Sequence, residues 1–148
     1  MQTISAATLG DRLRDMSKHV YTALDVPDPI DGPTDEVTPY TCDGDNGRPR
    51  EDQYGLTHWW QINDIKDFKA QFIPAVKRLK EYGERQGWEI AKFKLPPDVL
   101  DPIVVMRDPR TGYGVWVKAL TGNDLKRIIA RVSSPCVKVP PGGENPAT

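Results

Sequence analysis

Leu9, Leu13, Met16, Val20 and Leu24 recur at steps of four, three, four and four, the spacing that lays side chains along one stripe of an α-helix. An amphipathic helix is therefore predicted over residues 3–24, with Arg12, Arg14, Asp15 and Lys18 off the stripe. Thr8 and Asp11 resemble a capping pair, which places the firm part of this helix from Leu9 onward. Pro27 and Pro29 end it, because the residue before a proline is driven out of the helical region. Strict alternation follows at 54–63: Tyr54, Leu56, His58, Trp60 and Ile62 share one face of a strand, and Gly55, Thr57, Trp59, Gln61 and Asn63 the other. A second helix is predicted at 64–86, with Asp64 as its N-cap. Ile65, Phe68, Phe72, Val76, Leu79 and Tyr82 keep helical spacing, Pro74 introduces a kink, and Gly87 ends it.

The rest reads as β: strands at 88–95, 103–108 and 113–120, the last two joined by the turn Asp108-Pro109-Arg110-Thr111-Gly112. After the turn Thr121-Gly122-Asn123-Asp124, residues 125–132 form a last strand or, with Asp124 as cap, a short helix. The resulting fold class is α+β, an antiparallel sheet of four to five strands with two helices packed on one face. Residues 1–138 form a single domain and the proline- and glycine-rich stretch 139–148 a disordered tail. The four tryptophans anchor the core, except that Trp59 and Trp60 point to opposite faces. Trp59, beside Thr57 and Gln61, is therefore a candidate contact surface.

Residues 25–50 are an acidic, proline-rich connection. Between 25 and 47 it holds Pro27, Pro29, Pro33 and Pro39, and seven carboxylates, with no Lys or Arg. Asp43-Gly44-Asp45-Asn46-Gly47 invites a calcium reading, but an EF-hand loop beginning at Asp43 would need Gly at position 6 and Glu at position 12, where this chain has Arg48 and Tyr54. A solvated turn fits better, and no metal or cofactor site is expected. The chain as a whole is close to neutral, at −1 over 148 residues, which gives no reason to expect a nucleic-acid partner. The charge is nonetheless uneven. Residues 1–65 carry 5 basic and 12 acidic side chains, and residues 66–148 carry 15 and 9. Either the acidic connection covers the basic half, or the surface carries two patches of opposite sign.

Cys42 and Cys136 are the only cysteines, and each is bracketed by turn-forming residues. A Cys42–Cys136 disulfide would staple nearly the whole folded region and would require an oxidising compartment; two reduced thiols inside a cell are the alternative. No secretory signal precedes the first helix, so an exported protein would have lost its leader before Met1. No nucleotide-binding glycine loop, H-E-x-x-H or G-x-S-x-G motif is present. His58 could serve a small hydrolase or ligand carrier, but a general base needs an orienting partner and a nucleophile, and no motif supplies them. The expected protein is not an enzyme.

The order of features adds a resemblance. A helix, a Pro/Asp-rich link, a cysteine near Gly47-Arg48, a Trp/Tyr-rich strand, a helix ending at Gly87-Trp88 and a final Ser134-Pro135-Cys136 resemble the small secreted lipoproteins of actinobacteria, most nearly the mycobacterial LppA-type group, over residues 9–138. The resemblance implies an envelope-facing domain without a settled biochemical activity; with the cysteine pair and the missing catalytic motifs, the expectation is a non-catalytic extracytoplasmic domain, tethered to the cell envelope or secreted, that binds a protein or envelope component. On this reading it is expected to meet the membrane only through a lipid anchor absent from this chain. An intracellular interaction or immunity-type protein from a mobile element is the alternative with reduced cysteines.

Overall fold

A computed structural model describes residues 1–122 and 126–148. The first helix, α1 (Ala6–Leu24), buries Leu9, Leu13, Val20 and Leu24 as its periodicity requires, and Met16 is partly buried against the same core. It starts inside the predicted span of 3–24 but ahead of the firm part expected from Leu9. Ser5, rather than Thr8, is the N-cap, and its hydroxyl accepts the Thr8 N–H at 3.2 Å. Ala6 and Ala7 can then open the helix at little conformational cost.

The second helix, α2 (Phe68–Arg85), is also displaced from its expected start. The N-cap is Asp67 in a left-handed conformation, with no side-chain capping bond, and Asp64 is a left-handed residue upstream. Pro74 lies inside α2, and the helix continues through it as one element. Gly83 lets α2 approach the sheet closely, because a Cβ there would overlap the sulfur of Met106.

Among the described residues seven strands make the sheet: β1 (Thr38–Asp43), β2 (Pro49–Ile62), β3 (Glu89–Lys94), β4 (Ile103–Arg107), β5 (Gly114–Leu120), β6 (Arg127–Ser133) and β7 (Val137–Lys138). The spatial order is β1-β2-β6-β5-β4-β3, with every neighbouring pair antiparallel. β7 pairs β2 on the flank that β6 also occupies. The protein is thus α+β with two helices and an antiparallel sheet, but the sheet is wider than the four to five strands expected.

The extra strands have physical reasons for being hard to read. β1 emerges from the acidic connection and carries Pro39, which is tolerated because β1 is an edge strand. β7 is only two residues long. Residues 127–133 are a strand, not the short helix considered above, and β6 lies between β2 and β5. The Asp124 cap and Leu125 lie outside the described residues.

Both helices pack on one face of the sheet, α1 against β2 and β6, and α2 against β3, β4 and β5. Tyr54, Leu56, Trp60, Ile62, Val104, Val117, Ile128 and Val132 fill the layer between. The composition of 139–148 points to disorder, yet these residues have partners. Val139 N–H donates to Asp52 C=O, the Asn145 amide donates to the carbonyls of Glu51 and Gln53, and Ala147 packs on the core.

The ends of the chain meet as well. Thr3 forms a parallel bridge with Lys138, flanked by Lys138 N–H donating to Gln2 C=O and Ile4 N–H donating to Lys138 C=O.

Candidate functional site

The face of the sheet turned away from the helices is the candidate site. Antiparallel register aligns its side chains in rows across the strands. One row is Trp59 (β2), Arg131 (β6), Trp116 (β5), Val105 (β4) and Lys92 (β3). The next is Gln61, Ile129, Lys118, Ile103 and Lys94, and on the other side lie Thr57, Ser133, Gly114, Arg107 and Glu89. The three candidate residues thus share one face of β2. Trp59 is 48% exposed, while Thr57 and Gln61 are half-buried. Of the tryptophans expected in the core, only Trp60 is fully buried there. Trp116 joins Trp59 on the open face, and Trp88 packs edge-on against Tyr82 at the end of α2.

Arg131 is a site residue that sequence reasoning missed. Its guanidinium carbon lies 5.1 Å from the Trp59 ring centroid and 5.6 Å from that of Trp116. The two indoles meet edge-on at 6.0 Å. The guanidinium thus makes cation–π contact with both rings.

The charges of this face are mostly of one sign. Among the described strand residues of β3 to β6, Arg131, Lys118, Lys92, Lys94 and Arg107 point outward against a single carboxylate, Glu89, which pairs with Arg107 at 3.8 Å. The acidic connection does not cover them. It meets α1 and α2 through backbone carbonyls instead: Arg14 donates to Asp35 C=O, and Arg78 donates to Leu24 and Asp25 C=O.

The disulfide joins Cys42 at the end of β1 to Cys136 in the break between β6 and β7, with Cα atoms 6.1 Å apart. It spans β2, the strand that separates β1 from β7. Tyr40 makes a second link in the same direction, from β1 to the backbone carbonyl of Ser134. Gly55 permits this crossing, since a Cβ at that position would overlap the Tyr40 ring. Ser134 supports it from the far side by accepting the Leu56 N–H on its hydroxyl at 2.9 Å.

His58 is fully buried under α1. Nε2 lies 2.7 Å from the Thr34 carbonyl, which can only accept, so Nε2 carries the proton. Nδ1 then accepts from the Ser17 hydroxyl at 2.6 Å. Burial lowers the histidine pKa, and the nearby Arg14 charge adds to this, outweighing the opposing pull of the Thr34 carbonyl and Asp35. The serine–histidine contact would suit nucleophilic chemistry only if a substrate could reach it, and both residues have no exposed surface. His58 ties α1, the connection and β2 together.

A cavity of about 810 Å³ opens between α1 and the β4–β5 turn, lined among others by Arg12, His19, Trp88, Arg110, Tyr113 and Cys136. Its most perturbed group, Asp108, is committed to the turn. Burial alone would raise its pKa, but the Arg110 N–H, the Thr111 hydroxyl and the Arg110 charge hold the carboxyl below its ordinary value. No helix among the described residues is long and apolar enough to cross a membrane. No protein-family model, curated protein or solved structure matches the chain.

Proposed function

We propose that this chain is a non-catalytic, lipoprotein-like domain of the extracytoplasmic space that binds a protein or envelope component through the open face of its sheet, around Trp59, Thr57 and Gln61. The observation that carries the reading is the contrast between adjacent residues. Trp60 is buried beneath the helices while Trp59 stands half exposed beside the Arg131 guanidinium. A large aromatic side chain left in water on a rigid sheet is a characteristic binding anchor. The Cys42–Cys136 bridge supports an oxidising compartment and weighs against the intracellular immunity-type alternative. The buried, doubly hydrogen-bonded His58 weighs against the hydrolase alternative.

Two measurements test this reading. Cells making the protein are lysed in a thiol-blocking reagent, and Cys42 and Cys136 are expected to remain unmodified; two alkylated thiols would remove the compartment assignment. The indole N–H resonances are then followed during titration with solubilised cell-envelope fractions. Those of Trp59 and Trp116 are expected to move while that of Trp60 stays, and resonances unmoved by every fraction would overturn the binding role.

A further inference from the structure

We propose that the open sheet face seats on the surface of a bilayer containing anionic phospholipid. This deepens the preceding reading, on which it rests, by naming the envelope component. Lysines on the edge strand β3 alone would carry little weight, because edge strands commonly use lysine to discourage pairing with other chains. Lys118 and Arg131 lie on β5 and β6, inside the sheet, where no edge needs protection. Together with Lys92, Lys94 and Arg107 they spread positive charge over the four neighbouring strands β3 to β6, with Glu89 as the one opposing carboxylate among the described residues of those four strands; Glu51 and Asp52 lie on β2.

Strands lie about 4.8 Å apart and alternate residues about 7 Å apart, so these charges form a two-dimensional array, not a line. Ile129 and Val105 stand between them, half-buried, with Trp116 among them on β5 and Trp59 beyond Arg131 on β2. Basic side chains, scattered aliphatic surface and tryptophan are the composition that suits an anionic headgroup layer.

The geometry of the indoles favours a planar surface over a stacked polymer. Nucleobases and sugar rings bind aromatic platforms through open ring faces. Here the Arg131 guanidinium lies over Trp59 and Trp116, and the rings are inclined at 62° to each other. Successive rings of a linear polymer therefore find no coplanar pair to stack on. A headgroup layer needs only the charge and the exposed indole of Trp59.

The test uses the full, disulfide-bonded chain and vesicles of mixed phosphatidylglycerol and phosphatidylcholine, with phosphatidylcholine alone as the reference. Cosedimentation with the mixed vesicles is expected, at least about tenfold stronger than with the reference and weakening steeply with salt as the screening length shortens. A blue shift of tryptophan emission should accompany it and shrink in Trp59→Ala. Lys92→Glu/Lys118→Glu should reduce binding at least about tenfold. Lys77→Glu/Arg85→Glu, an equal charge change on exposed positions of α2, should leave it within about twofold. Lys92→Glu/Lys94→Glu replaces the first variant if the β5 substitution disturbs the near-ultraviolet dichroism.

Equal binding to both vesicle types, equal losses in the sheet and helix variants, or no vesicle binding at low salt would each overturn the lipid assignment. So would a soluble acidic polysaccharide or single-stranded oligonucleotide that binds this face where vesicles do not. In those cases the indole resonances could still respond to an envelope fraction, which separates failure of the lipid assignment from failure of the binding role.

Discussion

The ring of Tyr40 occupies the space that a side chain at Gly55 would fill, and its hydroxyl donates to the Ser134 carbonyl on the far side of β2. The Cys42–Cys136 bridge runs the same way, so a covalent and a hydrogen-bonded link both pass over one strand. Gly55 is required here for lack of a Cβ, not for its backbone angles.

Gly55→Ala should therefore destabilise the protein despite alanine's advantage in the unfolded chain. Displacing a packed ring costs about 1–3 kcal/mol, against an entropic gain of about 0.4–1 kcal/mol. Tyr40→Phe keeps the ring and loses only the hydrogen bond, about 1 kcal/mol. Urea denaturation of the oxidised protein measures both. An alanine variant as stable as the parent would show that Tyr40 does not cover β2 in solution.

Opening the disulfide should cost more than either substitution. The bridge connects residues 94 apart in sequence, and removing a native disulfide from a small domain costs about 2–5 kcal/mol. Cys42→Ser/Cys136→Ser is expected to lower the denaturation midpoint accordingly, with β1 the first element to lose amide protection. β1 is an edge strand paired only with β2, and the bridge is its covalent tie to the far flank of that strand. An unchanged midpoint would mean that packing alone holds β1.

The pH dependence of stability should carry the signature of His58. Its native pKa is lowered, chiefly by burial, so the unfolded chain binds the proton more readily than the folded one. Stability from this group is complete above the unfolded value of about 6.5 and declines as pH falls from there toward the lowered native value. Asp108, also lowered in the native state, adds a separate loss only in the acidic carboxylate range. Denaturation measured across pH should show the first decline, and the native imidazole, with its proton on Nε2 in the neutral form, should titrate below the ordinary histidine value. A native ring titrating at the ordinary histidine value would contradict this burial. Ser17→Ala, which leaves Nδ1 without a donor, should cost about 1–3 kcal/mol.

Much of the helical layer was legible because its signal is local. The stripe from Leu9 to Leu24 and the alternation from Tyr54 to Ile62 state which side chains go inward, and the structure buries them accordingly. Strand β1 was not legible, since Pro39 and the surrounding carboxylates read as an exposed connection and its pairing partner lies in β2. The same holds for the site. Alternation places Trp59, Trp116 and Arg131 on outward positions of their own strands, but nothing local says that the strand holding Arg131 lies between the other two. That neighbourhood follows from the sheet order, a product of packing over the whole chain.

The parallel bridge between Thr3 and Lys138 has a mechanical consequence. Tension applied between residues 1 and 148 would draw these two segments in opposite directions along their common axis. Their hydrogen bonds would then share the load in shear instead of opening one after another like a zip. The bonds from Asn145 and Val139 to β2 would take up the pull on residue 148 before it reached that clasp.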